Sequence, residues 1–327
     1  MTAPLRIGVL GASRIAEQAI IGPAHALGHR LVVVAARDRG RAEAFAQRYG
    51  VERVADDYDA VIDDPEVDAV YNPLANALHA EWNMRALRAG KAVLTEKPFA
   101  RNAAEARAVR DVARETGAVI VEGFHYLFHP VTRRLLDIAA NGTLGRLTRV
   151  EVVMAMPAPA DDDPRWSLDL AGGSVMDLGC YGLHVHRLLA DVAGGPPRVV
   201  SAVATERDPG VDATSTIELA FPDGATGTVT NSMEHAEHEF TVLLTFSEGT
   251  AFAHNHIKPN TDDRVSVTDT SGTTVEHLGT RPSYEYQLEA FAAHVQSGAP
   301  IPLDADDAVA TMELVDAAYT AAGLPLR

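Results

Sequence analysis

The chain is predicted to be an α/β protein: a doubly wound parallel sheet first, then an α+β domain built on a mostly antiparallel sheet. Three observations carry this prediction. Over residues 5–122, short segments rich in Val, Leu and Ile alternate with helical patterns, the texture of a parallel sheet covered on both faces. Over residues 198–277 the segments are hairpin-length and alternate in polarity, parted by turns such as Pro222-Asp223-Gly224 and Ser247-Glu248-Gly249; antiparallel strands read this way. The 327 residues suit two domains at about 100–200 residues each.

Taken in order, strands are expected at Leu5–Leu10, Arg30–Ala36, Ala69–Tyr71, Ala92–Thr95 and Val119–Glu122. Helices are expected at Arg14–Leu27, Arg41–Tyr49, Asn76–Ala89 and Ala103–Thr116, with Gly90 and Gly117 where helix C-termini favour glycine. The texture changes after Gly123, which sets domains of 1–123 and 124–327. A helix (Pro130–Ala140), a strand (Thr148–Met156), a Pro- and Asp-rich loop (Pro157–Pro164) and a helix (Ser174–Leu189) behind the Gly172-Gly173 turn come next. Expected sheet strands are Val199–Thr205, Ser215–Phe221, Thr226–Asn231, Phe240–Phe246, Thr250–His254 and Arg264–Asp269. Helices near Tyr284–Ser297 and Asp304–Ala321 close the chain and are candidates to cross back to the first domain.

A formal net charge of −17 argues against nonspecific binding to nucleic acid or an anionic membrane surface. No apolar run approaches the ~20 residues of a membrane helix. Cys180 is the only cysteine, so no internal disulfide is possible and a reducing cytoplasm is the expected compartment. The first strand begins near Leu5, which leaves no room for a signal peptide.

The first strand runs into Gly11-Ala12-Ser13-Arg14-Ile15-Ala16. A glycine turn between a strand and an amphipathic helix brings backbone N–H groups up to a dinucleotide pyrophosphate. Gly11 allows the tight turn; Ser13 and Ala16 replace the second and third glycines of the usual pattern. The second strand ends Ala35-Ala36-Arg37-Asp38. Enzymes that prefer NAD place an acid at the strand end for the ribose 2′-hydroxyl. Here that place is Ala36, and the Arg37 guanidinium can pair with a 2′-phosphate. The cofactor expected is therefore NADP, with NAD as the alternative through Asp38.

Further on, Glu96-Lys97-Pro98 closes a buried strand. Ligands of open α/β sheets bind at the carboxyl ends of strands, where a lysine can hold a hydroxyl or polarise a carbonyl.

These residues together resemble the Gfo/Idh/MocA (glucose–fructose oxidoreductase and inositol dehydrogenase) family. The resemblance rests on Gly11–Ala16, Ala35-Ala36-Arg37-Asp38, Asn72-Pro73-Leu74-Ala75-Asn76 with His79, Glu96-Lys97-Pro98, and Ala171-Gly172-Gly173-Ser174-Val175-Met176-Asp177-Leu178-Gly179-Cys180-Tyr181. Tyr181, where inositol dehydrogenases carry histidine, is similar to the branch of dimeric dihydrodiol dehydrogenases and NADP-dependent xylose dehydrogenases. The resemblance implies a Rossmann domain followed by a domain with a large open antiparallel sheet. That sheet would serve as the interface of a homodimer or homotetramer. It also implies cofactor contacts at Gly11, Ala12, Ser13, Arg14, Ile15, Arg37, Asp38, Pro73, Leu74, Asn76, His79, Glu96 and Lys97. Arg165 and Trp166 are similar to a pair lying near nicotinamide and substrate in relatives. His125 and Leu127 stand where relatives often carry methionine and arginine, and both are expected to line the substrate pocket. Pro98 is expected to follow a cis peptide.

The chemistry expected is hydride transfer between the nicotinamide and a carbohydrate-like hydroxyl or carbonyl. Oxidising an alcohol also needs a base for the hydroxyl proton. A tyrosine of pKa ~10 is too weak a base unaided, and a lysine ammonium in reach favours the phenolate. Lys97 and Tyr181 are the expected catalytic pair. Asp177 and His184 share a helix stripe with Tyr181, which suits bonds to substrate hydroxyls. Asp177 could equally be a helix-start acid, and His184 a core histidine. Asn76 is also a candidate N-cap. Glu96 either anchors its loop or contacts ribose, and Cys180 is expected as buried packing. His254 and His256 could share a strand face, but no third ligand accompanies them and no metal is expected. Two other readings stay open: a non-catalytic dinucleotide sensor, and a keto-sugar or imine reductase.

Overall fold

A computed structural model describes residues 3–327. The chain divides into two compact units, one of residues 1–124 with 284–310 and one of residues 125–283 with 311–327. Residues 124–327 thus do not form one body: a helix at Ser283–Ser297 and the start of another at Ala305–Ala321 belong with the first unit. Leu288, Phe291, Leu303 and Ala308 are buried there. Arg114 pairs with Asp306 at 2.7 Å, and Gln296 donates to the Ala3 carbonyl at 2.7 Å.

The first unit carries a six-stranded parallel sheet of order β3-β2-β1-β4-β5-β6. Its strands are β1 (Arg6–Leu10), β2 (Arg30–Ala35), β3 (Arg53–Val54), β4 (Ala69–Asn72), β5 (Ala92–Thr95) and β6 (Ile120–Glu122). Every residue of β4, β5 and β6 is buried, as strands covered on both faces require. The helices are α1 (Gly22–Leu27), α2 (Arg39–Tyr49), α3 (Tyr58–Ile62), α4 (His79–Arg88) and α5 (Ala103–Thr116). The short β3 and α3 carry too few residues to show a period in the sequence. The strand order reverses between β1 and β4, and a crevice at the carboxyl ends of strands opens at such a switch point.

The second unit carries α6 (Pro130–Asn141), β7 (Leu147–Ala155), α7 (Cys180–Leu188) and β8 (Arg198–Asp208), then β9 (Val211–Ala220), β10 (Thr226–Ser232), β11 (Glu239–Phe246), β12 (Thr250–Ala253), β13 (Arg264–Asp269) and β14 (Gly272–His277). With β7 they form an eight-stranded sheet of order β14-β13-β12-β11-β7-β10-β9-β8. All neighbours are antiparallel except β7 and β10, which run parallel from Arg149 beside Thr226 to Ala155 beside Ser232. Alternate residues of β9, β10 and β11 are buried, the mark of a sheet covered on one face. The helices at Ser283–Ser297 and Ala305–Ala321 are α8 and α9. No helix of the described residues is long and apolar enough to cross a membrane.

Candidate active site

The candidate residues of the first unit begin at the turn after β1. The Gly11 N–H donates to the Ala35 carbonyl at 2.7 Å, tying the turn to the end of β2. Gly11 has φ +87°, and a Cβ there would sit 3.0 Å from Leu74 Cδ2. Both facts call for glycine. The Ser13 hydroxyl is buried with no hydrogen-bond partner. Arg14 is exposed and Ile15 half-buried. The helix expected from Arg14 instead opens with a π turn at Glu17–Ile21, closed by a bond from Gly22 N–H to the Glu17 carbonyl, and continues as α1.

At the end of β2, Asp38 caps α2: its Oδ1 accepts from the Arg41 N–H at 2.8 Å. Arg39 pairs with Glu43 and Asp56. Among the described residues no carboxylate pairs with Arg37. Arg41 donates through Nη2 to the Ala12 carbonyl at 3.2 Å. Tyr58 lies beside them, its hydroxyl 3.8 Å from where a Gly11 Cβ would stand. Burial pushes its phenol pKa up, and Arg37 and Arg41 draw it back down. Arg41 and Tyr58 are absent from the sequence reading. The signal for Arg41 was available, since it follows Arg37 by four residues at a helix start. Nothing local marks Tyr58.

The ends of β4 and β5 are locked by buried amides. Asn72 donates to Asn83 Oδ1 at 2.8 Å, and Asn83 donates to Thr95 Oγ1 at 3.1 Å. Leu74 N–H bonds Asn72 Oδ1 at 3.3 Å, which shapes the loop of Pro73 and Leu74. His79 is fully buried. Its Nδ1 lies 2.7 Å from the Pro98 carbonyl and its Nε2 2.9 Å from the Leu74 carbonyl, so it joins the two loops. Burial lowers its pKa and the two carbonyls offset that. Asn76 opens a 3₁₀ turn and caps neither it nor α4, whose capping positions are Ala75 and Leu78. Glu96 is buried and accepts from the Tyr71 hydroxyl at 2.8 Å. Lys97 is half-buried, and the Lys97-Pro98 peptide is cis.

The candidate residues of the second unit centre on the segment behind Gly172-Gly173. It too opens with a π turn, Val175–Gly179, in which the Cys180 N–H donates to the Val175 carbonyl, and α7 follows. Tyr181 is 5% exposed, its ring centroid 6.2 Å from His125 and 5.8 Å from Tyr126. His184 is fully buried, with Nδ1 2.7 Å from the Tyr126 hydroxyl. His125 is buried, with Nδ1 2.7 Å from Ser283 Oγ. Leu127 is buried as well. Arg165 donates through Nε to Asp177 Oδ2 at 2.7 Å and through Nη1 to Asp163 Oδ1 at 3.2 Å. The charge of Asp177, with that of Asp163, holds the Arg165 proton well above the usual guanidinium range. Trp166 is buried in its loop; its indole donates to the Pro159 carbonyl at 3.3 Å, and Arg207 covers the ring at 4.4 Å. Cys180 is fully buried.

The structure thus gathers His125, Tyr181 and His184 around Tyr126, which the sequence reading missed, and joins Asp177 to Arg165. Lys97 belongs to the first unit. His254 does not share a strand with His256, because β12 stops at Ala253. His256 is buried, with Nδ1 on the Phe240 carbonyl at 2.9 Å.

The first unit offers a tight turn with a buried hydroxyl, two guanidinia and a lysine at a strand end; the second unit, taken by itself, offers a phenol among polar side chains. The missing side chain at Gly11, the unsatisfied Ser13 hydroxyl and the Arg37 guanidinium all fit an anionic dinucleotide.

Comparison with known proteins agrees. Residues 5–124 match the oxidoreductase family with an NAD-binding Rossmann fold, and residues 132–252 match the Gfo/Idh/MocA C-terminal domain. The chain is 34% identical over 321 residues to D-xylose 1-dehydrogenase (NADP(+)) 2 of Haloferax volcanii, covering 97% of each chain. It is 33% identical to trans-1,2-dihydrobenzene-1,2-diol dehydrogenase of Mus musculus, over 70% of this chain and 68% of that one. Among solved structures, KijD10, a 3-ketoreductase from Actinomadura kijaniata in complex with NADP and TDP-benzene, superposes with a TM-score of 0.88 at 30% identity, covering 98% of each chain. Switch-point sheet, glycine turn and full-length likeness converge: the chain belongs to the Gfo/Idh/MocA family of oxidoreductases.

Proposed function

We propose that this protein is an NADP-dependent oxidoreductase that interconverts a hydroxyl and a carbonyl on a sugar, a polyol or a dihydrodiol. The observation that carries the cofactor reading is the division of labour after β2. Asp38 turns its carboxylate into the start of α2. Arg37 and Arg41 keep guanidinia free of carboxylates beside the glycine turn, as a 2′-phosphate requires. The named relatives that use NADP support it.

A bound dinucleotide would supply hydride-transfer chemistry. Residues 11–15 with Arg37 and Arg41 would hold its phosphates, and Pro73, Leu74, Asn76 and Glu96 would shape its seat. His79 holds the loops of that seat together. Tyr181 exchanges the proton of the substrate oxygen, and Lys97 orients that oxygen and favours the phenolate. Arg165, Asp177, His125, His184 and Trp166 are assigned to the substrate side. The 3-ketoreductase of Actinomadura kijaniata has been crystallised with one tyrosine changed to phenylalanine and with one lysine changed to alanine. Those two positions stand as far apart in its chain as Lys97 and Tyr181 do here. The same site run in reverse reduces a keto-sugar.

The outer strands of the eight-stranded sheet expose Val200, Val203 and Val275, which supports a homodimer or homotetramer through that sheet. A single buried cysteine is in keeping with the cytoplasm.

The test is a tryptophan-fluorescence titration with NADPH and NADH, followed by turnover on panels of aldoses, polyols and dihydrodiols with NADP+. NADPH is expected to bind about tenfold or more tighter than NADH, since bonds to a charged phosphate contribute about 1.5–3 kcal/mol. Absence of dinucleotide binding would contradict the reading.

A further inference from the structure

We infer that Arg327 is a positioning residue for the helix that carries Tyr181: paired with Asp212 inside the second unit, it holds the Gly172-Gly173 turn in place. The inference rests on the role given to Tyr181 above. Asp212 lies on β9 and is fully buried, as is the Arg327 side chain. Asp212 Oδ1 accepts from Arg327 Nη2 at 2.7 Å and from the Tyr319 hydroxyl at 3.1 Å. Its Oδ2 accepts from Ser174 Oγ and from the Val175 N–H, both at 2.7 Å. Arg327 Nε donates to the Gly172 carbonyl at 2.8 Å, and the guanidinium lies 3.9 Å over the Tyr319 ring.

Every polar group on the turn side of this network belongs to residues 172–175, immediately before the π turn. The next link leads to the substrate side: Gly173 N–H donates to the Arg165 carbonyl at 2.9 Å, and Arg165 holds Asp177. The turn itself is strained, with Ala171 at φ +58° and Gly173 at φ +122°. A Cβ on Gly173 would stand 2.1 Å from Asp212 Oδ1, so the backbone is pressed against the ion pair. Strained backbone persists only where its surroundings over-determine it. A buried ion pair is a poor means of stabilisation alone, because desolvation offsets its attraction. What this pair does that an apolar pair could not is bond the turn directionally at Gly172, Ser174 and Val175.

The test compares Arg327→Met and Arg327→Lys with wild type by hydrogen exchange of the full chain, and by kinetics with D-xylose and NADP+ as probes. In Arg327→Met, exchange over residues 172–181 is expected to rise about 100-fold relative to β7, because the turn opens locally. kcat is expected to fall about tenfold or more while NADPH affinity, which belongs to the first unit, stays within about twofold. Arg327→Lys keeps the charge and is expected to recover part of both losses. Exchange that rises no more over 172–181 than over β7 would overturn the inference, leaving the pair a general stabiliser. So would unchanged kcat in Arg327→Met. If Arg327→Met does not fold, Arg327→Lys decides alone: faster exchange confined to 172–181 supports the inference, and wild-type exchange there overturns it. Wild type without turnover on D-xylose counts against that substrate and leaves the exchange comparison to decide. Tyr181→Phe that keeps turnover counts against the role of Tyr181, and is read separately.

Discussion

The two glycine turns of this molecule follow one plan and end in opposite states. After Gly11 and after Gly173 the chain enters a five-residue π turn, Glu17–Ile21 in one case and Val175–Gly179 in the other, and then an α-helix. At the first turn the buried Ser13 hydroxyl is unsatisfied, and no carboxylate meets Arg37 among the described residues. At the second, Asp212 takes four donors and Arg327 is spent on Asp212 and backbone carbonyls. An unsatisfied buried group is tolerated where a ligand completes it, and a saturated network rigidifies what it holds. On the proposed function, the first turn receives an anion, while the second keeps its own side chains still.

The difference can be broken most severely at the closed turn. Asp212→Ala leaves a buried guanidinium unpaired, and an unfolding titration is expected to show a loss of about 3–5 kcal/mol. An effect under about 1 kcal/mol would mean the turn is not held by this pair.

Acid should also strike the second unit. His186 docks α7 on the sheet, with Nδ1 on the Gly182 carbonyl at 2.7 Å and Nε2 on the Val150 carbonyl at 3.3 Å. Burial lowers its pKa to about 4, and burial does the same to His256. Both values lie below the ordinary ~6.5 of the unfolded chain. Between those limits the unfolded state binds more protons, so this stability is full above pH ~6.5 and is lost as the pH falls toward ~4. The loss is on the order of 3 kcal/mol per histidine. Urea midpoints measured across that range should fall with pH, and less steeply in His186→Asn.

At the open turn the effects are on binding. Arg37→Ala is expected to weaken NADPH about 10- to 100-fold and to leave NADH nearly unchanged. Equal losses for both would remove Arg37 from the 2′-phosphate. The smallest effect is expected from Asp38→Ala: about 1 kcal/mol of stability for a lost N-cap, with the preference for NADPH kept. A variant that gains no stability loss but loses NADH binding would return Asp38 to the ribose.

The open turn was far more legible in the sequence than the closed one. Gly11, Arg37 and the strand ends at Pro73 and Lys97 announce themselves because local pattern and strand-end position mark them. The pairing of Asp212 with Arg327 spans 115 residues, and neither residue has a neighbour that hints at it. The π turns were invisible because one extra residue in a turn barely shifts the hydrophobic period. Residues 175–188 therefore read as a plain helix. The parallel pairing of β7 with β10 was hidden because alternating polarity marks a strand but not its neighbour. Tyr126 was passed over as one aromatic in an apolar run, although it bonds His184. Asp38, open in the sequence as an alternative reach to a ribose hydroxyl, has its carboxylate capping α2.

The most direct measurement is the kcat of Tyr181→Phe beside its NADPH affinity, on whichever sugar, polyol or dihydrodiol the wild type oxidises. Removing a positioned proton-transfer group is expected to lower kcat by about a hundred- to ten-thousandfold. NADPH should bind within about twofold of wild type, since its proposed contacts lie on the first unit. A variant that keeps most of its kcat would contradict the assignment of the proton to Tyr181, and with it the claim that the closed turn exists to hold that residue.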